Sequence, residues 1–416
     1  MPTMPPVRLS DDFGFDFALR CLLSGVGYGM ADSGEVLAVA DRVVPGDRDS
    51  WFDALSEVAA RLESVADADV DRHRRSASEA YLRAANYRYA AFFHVLGTRQ
   101  PGRAGAAWRA HRHALLRALA LREVPAEPFS VAAGDVVVRA WLFRPPEPPP
   151  GPLPVVLVHN MMTAPLSDVL MTGVDDAVRR GWAAVAFEGP GQGATWFEDG
   201  VGPTDDWAPV AAAVTDRVAA FPDIDAGRLV AMGIGDGGYL AAWATAHDPR
   251  IAALVCDPGV VRALDGALGQ LPGGLQQRWR QVEVGNPLQV ADFDTEVASA
   301  AANDPEVAFT AAKLVEQWPT ASVGTVLARL SGWDLSPVVD AIRCPTWIAD
   351  PDAAVSFPGQ SAELAGRLGG RADLVPFTSA EGAGLDCEIG APQLRNQRAF
   401  DWLEDHLPGP GASGAA

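Results

Sequence analysis

Two periodicities divide this chain. From about residue 10 to 125, apolar residues recur at helical spacing, as in Trp51-Phe-Asp-Ala-Leu-Ser-Glu-Val-Ala-Ala-Arg-Leu62 and again across Tyr81–Leu96 and Trp108–Leu121. No strand pattern interrupts them, so helices alone are expected there. From about residue 128 the period shortens. Phe129–Phe143 reads as a hairpin turning at Gly134-Asp135. The proline-rich stretch Pro145–Pro154 is expected to be a surface loop, not an interdomain linker, because strands flank it on both sides.

Beyond it, short continuous apolar runs alternate with amphipathic stretches. The runs are Pro154–His159, Trp182–Phe187, Arg228–Gly233, Ile251–Cys256, Pro345–Ala349 and Leu374–Phe377. Helices are expected over Asp168–Arg180, Asp206–Phe221, Tyr239–His247 and Leu394–His406. Uninterrupted apolar strands alternating with helices imply an α/β fold, a mostly parallel sheet covered on both faces. Between Pro258 and about Ile342 the rhythm gives way to polar, helical sequence, an insertion between the sixth and seventh core strands. The glycine- and proline-rich tail, 408–416, is expected to be disordered.

Composition narrows the partners. The formal net charge is −20, which repels phosphate backbones and anionic leaflets, so neither nucleic acid nor a membrane surface is expected. Four separated cysteines show no metal spacing, and no apolar run has the ~18 residues a membrane span needs. A cytoplasmic location is expected, with no metal and no cofactor; Gly189-x-Gly191-x-Gly193 alone is a weak dinucleotide pattern. A homodimer is compatible with this composition.

The chemistry concentrates at Arg228-Leu-Val-Ala-Met-Gly-Ile-Gly-Asp-Gly-Gly-Tyr-Leu-Ala-Ala242, a strand, a sharp glycine turn and a helix. That is the layout of a G-x-S-x-G nucleophile elbow, with Gly235 where the serine belongs. Shifting the register to make Asp236 the nucleophile would put branched Ile234 where a small residue must sit. Asp236 is therefore expected to cap the following helix, and with Gly235, His159 and Asn160 it is also a candidate for the oxyanion site or the pocket wall.

These residues carry a family resemblance. The chain resembles the α/β hydrolases that include 2,6-dihydroxypseudooxynicotine hydrolase and, more distantly, fungal yellowish-green pigment hydrolases. The similar segments are Tyr28-Gly-Met-Ala-Asp-Ser-Gly-Glu35, Ser76-Ala-Ser-Glu-Ala-Tyr-Leu-Arg-Ala-Ala-Asn-Tyr87, Phe187-Glu-Gly-Pro-Gly-Gln-Gly193, the elbow, Glu381-Gly-Ala-Gly-Leu-Asp-Cys387 and Phe400-Asp-Trp-Leu403. The resemblance implies a helical cap over 1–126, an α/β-hydrolase core over 127–258 and 343–407, and a lid insertion over 259–342, closing over a pocket at the strand ends. Family members often cleave carbon–carbon bonds beside ketones in aromatic or polyketide-like substrates.

The departures matter as much. Asp386 stands where such sequences carry the triad histidine, and no histidine lies between His247 and His406. Asp352 matches the triad acid, with Asp350 as rival. The oxyanion strand ends in His159-Asn160-Met161, and backbone N–H groups after His159 and Gly235 are the expected oxyanion donors. Glu188 is a candidate acid or base, or else the residue that orders the glycine turn after it. Asp352 and Asp386 are expected to meet and share a proton, unless Asp386 caps its own loop or pairs with an arginine. Trp196, Trp207, Trp279, Trp318 and Trp333 are candidates for pocket walls or for ordinary packing.

Acyl-enzyme chemistry needs a hydroxyl and a base in reach, and neither is present at its position. The leading expectation is a non-hydrolytic enzyme, a cyclase, eliminase or isomerase, acting on a small apolar, polyketide-like substrate. Carboxylates would move its protons. An inactive ligand-binding or accessory protein is the alternative. Hydrolysis by water activated at Asp352 or Asp386 comes third.

Overall fold

The computed structural model describes residues 7–407; the expected disordered tail lies outside the described residues. Five helices come first: α1 (Phe13–Ser24), α2 (Ser33–Ala40), α3 (Arg48–Asp69), α4 (Arg74–Phe93) and α5 (Ala104–Leu121). Side-chain caps open three of them, with Asp12, Asp32 and Asp47 accepting from first-turn N–H groups.

Strands β1 (Ala126–Ala133) and β2 (Val136–Phe143) form the expected hairpin, turning at Gly134 with φ +60°. Then come β3 (Leu153–His159), α6 (Asp175–Arg179), β4 (Ala183–Glu188), α7 (Gly193–Phe197), α8 (Ala208–Ala219), β5 (Ile224–Ile234), α9 (Gly237–His247) and β6 (Ile251–Asp257). Five helices fill the insertion: α10 (Leu264–Gly269), α11 (Gly273–Trp279), α12 (Pro287–Asn303), α13 (Pro305–Val315) and α14 (Val323–Leu330). The chain closes with β7 (Thr346–Pro351), α15 (Gln360–Leu368), β8 (Ala372–Phe377) and α16 (Pro392–His406). The eight strands form one sheet in the order β1-β2-β4-β3-β5-β6-β7-β8, parallel from β4 to β8 and antiparallel at the β1-β2 edge.

Two expectations change in detail. The helix expected over Asp168–Arg180 is broken into a 3₁₀ turn (Leu166–Asp168), a π turn (Leu170–Val174) and α6. Gly173 interrupts it with a non-helical backbone (φ 167°, ψ −29°), and a Cβ there would stand 2.6 Å from Met232 Sδ on β5. Strand β5 begins at buried Ile224, ahead of the apolar run, with the partly or fully exposed Asp225, Ala226 and Gly227 between them.

Alternation along the strands separates two cores. Val155 and Leu157 of β3 face one side with α8 and α9, while Val156 and Val158 face the other. The second side is continuous with the buried faces of α1–α5 and α16, so the N-terminal helices share a core with the sheet. Polar anchors hold this packing in register. Asn86 donates to the Met30 carbonyl at 2.9 Å, Tyr87 to Glu35 at 2.9 Å, and Tyr28 to Asp176 at 2.8 Å. The insertion has its own small core around Trp279, Phe293 and Leu327, and it meets α3 through an Arg48–Glu306 ion pair at 2.6 Å. Among the described residues, no helix is long and apolar enough to cross a membrane.

Candidate active site

Parallel strands bring the C-terminal ends of β3, β4, β5 and β6 to one edge of the sheet, where open α/β sheets place their ligands. The elbow sits at the end of β5. A Cβ on Gly233 would lie 2.1 Å from the Gly237 carbonyl oxygen, and one on Gly237 would lie 2.2 Å from that of His159. Both contacts are to backbone that cannot move aside, so the flanking glycines are obligatory. Gly235 holds φ +60°, and its N–H donates to the Asp257 carbonyl at 2.7 Å. The turn of a nucleophile elbow is therefore intact. Its nucleophile seat is not empty: a Cβ on Gly235 would stand 2.3 Å from Met161 Sδ and 2.4 Å from its Cγ. The thioether fills the space a serine side chain would need.

The oxyanion side is altered to match. The Met161 N–H donates to Asn160 Oδ1 at 3.0 Å, and the Met162 N–H donates to Asp236 Oδ1 at 3.0 Å. Two donors of the loop after His159 are thus spent on side chains. Asp236 occupies the cap position of α9, but its side chain makes no capping hydrogen bond. The reason is its helical backbone (φ −67°, ψ −13°), where a capping residue would be extended. The carboxyl instead turns into the oxyanion site and faces the cavity. Burial pushes it up to about 6, while the Met162, Asp236 and Gly237 N–H groups pull the other way.

The neighbouring candidates are structural supports. His159 is buried, and its Nδ1 accepts from Trp207 Nε1 at 3.0 Å. Burial pushes it down to about 3, so it is neutral near pH 7 and not a cationic proton donor. Asn160 is buried and donates to the Pro165 carbonyl at 2.9 Å, shaping the loop after β3. Glu188 lies outside the cavity wall, in a buried ion pair with Arg112 of α5 at 2.8 Å. It also accepts from the Ala194 N–H at 3.3 Å, so it orders the glycine turn and ties α5 to β4. Gln192, which the sequence did not single out, spans from the Gly189 N–H to the Asn160 carbonyl, each at 2.9 Å.

The expected Asp352–Asp386 proton pair does not form. Asp352 is exposed and accepts from the Ser379 N–H at 2.9 Å and its hydroxyl at 2.7 Å, away from the cavity. Asp386 lines the cavity, but it accepts from the Val355 and Ser356 N–H groups at 3.2 and 3.1 Å. Each carboxylate is engaged by the other's loop, Asp352 by the segment after β8 and Asp386 by the segment after β7. A different pair shares a site: Asp257 at the end of β6 and Glu388. Asp257 Oδ1 and both Glu388 carboxyl oxygens are buried and face no donor, and Arg395 Nη1 reaches only the other Asp257 oxygen, at 3.4 Å. Two carboxyls in such contact require a proton between them, and burial with mutual repulsion raises Glu388 well above the usual range. The backbone beside them is strained, with φ +53° at Cys387 and +47° at Glu388.

Above Gly235 lies a cavity of about 510 Å³, within the usual range for small-molecule sites. Its walls come from α1, α4, the loop after β3, the insertion and the Asp386–Ile389 segment. Of the five tryptophans considered, Trp318 and Trp333 line it. Trp207 packs on His159 and Trp279 in the insertion core, while Trp196 lies outside the wall. Lys313, the only lysine of the chain, reaches the cavity but is paired with Glu316 and sits over the Phe93 ring at 4.9 Å.

An eight-stranded sheet, a strand–glycine turn–helix elbow and a roofed pocket at the strand ends together define an α/β hydrolase. The comparisons agree. Over 425 aligned residues the chain is 31% identical to 20-hydroxy-prefusarin hydrolase FUS2 of Gibberella moniliformis, covering 96% of this chain and 98% of that protein. It is 28% identical to hydrolase LUC6 of a Fusarium species, covering 94% and 96%. The crystal structure of 2,6-dihydroxy-pseudo-oxynicotine hydrolase superposes with a TM-score of 0.71 at 20% identity, covering 94% of this chain and 95% of that one. No protein-family model matches. The chain belongs to the α/β-hydrolase superfamily, and its sequence relatives are fungal hydrolases.

Proposed function

We propose that the protein is a non-hydrolytic enzyme that moves protons on a small apolar, polyketide-like natural-product intermediate. One observation carries the reading: the Asp236 carboxyl stands in the oxyanion site, beside a nucleophile seat filled by Met161. A group held near 6 inside a cavity can accept a proton and return it at neutral pH. Taken from carbon beside a carbonyl, the proton leaves an enolate electron pair. Reprotonation at another atom isomerises the substrate; expulsion of a β-substituent with that pair completes an elimination. A cyclisation follows when the pair attacks an electrophilic carbon of the same molecule, held close by the walls. Asp386 borders the same space. Asp352 and Glu188 have no part in this reading, because their carboxyls are engaged outside the cavity.

The test uses the compound that accumulates when the gene is deleted, incubated with purified protein in ¹⁸O-labelled water. The reading expects a product of unchanged mass, or one lighter by a neutral fragment, without label. A product that has gained water with the label in it would make the protein a hydrolase like its relatives' names. Saturable binding without conversion would make it a binding protein.

A further inference from the structure

Helix α4 turns Asn86, Tyr89, Ala90 and Phe93 towards the cavity, the spacing of one helical face, and α1 meets them there with Ala18 and Leu22. In this largely apolar wall Asn86 is 7% exposed, and its amide is held in one orientation. Nδ2 donates to the Met30 carbonyl at 2.9 Å, a partner that can only accept, so Oδ1 is the end turned the other way. Gly25 leaves the amide its room: a Cβ there would stand 3.2 Å from Asn86 Nδ2 and 2.9 Å from Met30 Cβ. Among the described residues no donor reaches Oδ1. The Tyr89 hydroxyl, one turn further along α4, donates to the Thr163 carbonyl, and Ser24 Oγ of α1 donates to the Arg20 carbonyl. Packing of the cap therefore uses the nitrogen of this amide and leaves its oxygen without a partner.

A buried acceptor without a donor is costly, and a site built around one rejects molecules that cannot supply the missing hydrogen bond. An amide carbonyl carries no net charge, so its complement is a neutral O–H or N–H group, not an ammonium. We propose that Asn86 Oδ1 is a specificity contact for the substrate, which is then an apolar molecule presenting one neutral hydrogen-bond donor to the α4 wall. The inference rests on the cavity being the substrate site of the proposed reaction. It adds which group the cap side of that site recognises. Asp236 acts from the end of β5, so a donor anchored on α4 orients the molecule between cap and sheet. Asn86 does not titrate, so the contact holds over the whole range in which Asp236 takes up and returns its proton.

The experiment compares 4-phenylbutan-1-ol with its methyl ether by calorimetry at pH 7, on the full chain and on Asn86→Leu. Both probes carry an oxygen that can accept, but only the alcohol can donate. The wild type is expected to bind the alcohol about tenfold more tightly than the ether, the scale of one buried acceptor satisfied or left bare. In Asn86→Leu, a change of shape as small as the site allows, that preference should vanish while the ether still binds, which shows that the cavity is formed. Asn86→Ala provides the same comparison if that variant does not fold. A residue that only braces Met30 would, when replaced, weaken both probes alike and leave their ratio unchanged. Equal binding of the two probes by the wild type, or a preference that survives the substitution because a carboxyl of the cavity accepts the hydroxyl, overturns the Asn86 contact and leaves the acid–base reading of Asp236 standing. Saturable binding of neither probe overturns the cavity as a site for apolar ligands, and both readings with it.

Discussion

Replacing Gly235 by alanine adds one methyl group at the nucleophile position, and two costs can be worked from the structure. The backbone there holds φ +60°, which costs a residue with a side chain about 1–2 kcal/mol. The new Cβ would lie 2.3 and 2.4 Å from Met161 Sδ and Cγ, against ~3.5–4.0 Å for a favourable contact. Met161 must then swing out of its rotamer, and overpacking of this kind costs about 1–3 kcal/mol. Gly235→Ala is expected to lose about 2–5 kcal/mol in all. In a Met161→Ala background the collision disappears and only the backbone cost remains, so the pair should couple by about 1–3 kcal/mol. Urea unfolding of the four proteins, followed by fluorescence of the chain's 12 tryptophans, measures the cycle. If Gly235→Ala costs the same in both backgrounds, within about 0.5 kcal/mol, Met161 does not fill the nucleophile seat.

Three further outcomes follow from the same geometry. A fluorophosphonate probe should leave no covalent adduct and activated esters should hydrolyse at the buffer rate, whereas a stoichiometric adduct on any serine would show a nucleophile elsewhere. Arg112→Ala strands Glu188 as a buried charge and should cost about 3–5 kcal/mol by urea unfolding, while the double change Arg112→Met with Glu188→Gln costs less; equal costs would place the pair at the surface in solution. Glu388 binds its proton more tightly folded than unfolded, so its contribution is complete below the unfolded pKa near 4 and is lost as pH rises towards the folded value. Glu388→Gln should therefore flatten the fall in urea midpoint as pH rises above the usual carboxylate range; an unchanged slope would mean no shared proton.

The fold was legible because its signals are local. Strands buried on both faces leave uninterrupted apolar runs such as Leu153–His159 and Ala183–Glu188, and the elbow needs glycines at fixed spacing for backbone approaches that admit no Cβ. The loss of the serine could be read from the same spacing. That the Asp236 carboxyl turns from its helix towards the cavity could not, because it misses its cap through a backbone angle that no residue type announces. Expecting Asp352 and Asp386 to meet assumed that a vacated histidine site draws its neighbours together. Instead, loop N–H groups near each carboxylate satisfied it first. Glu388 escaped notice for a related reason. It lies in no motif and acquires its character from segments far away in the chain, Asp257 at the end of β6 and Arg395 of α16 beside it.

The central claim is that the carboxyl in the oxyanion site does the chemistry, and Asp236→Asn tests it most directly. Asparagine keeps the size of the side chain and an oxygen for the Met162 N–H, so folding should be little changed while the proton site is lost. With the compound that accumulates on gene deletion as substrate, kcat/KM of the wild type should fall as pH drops through about 6, where Asp236 takes up its proton. The variant should be slower by about a hundredfold or more, the usual scale of general acid–base catalysis, and should lack that acid limb. A variant as fast as the wild type, with the same pH profile, would contradict the account.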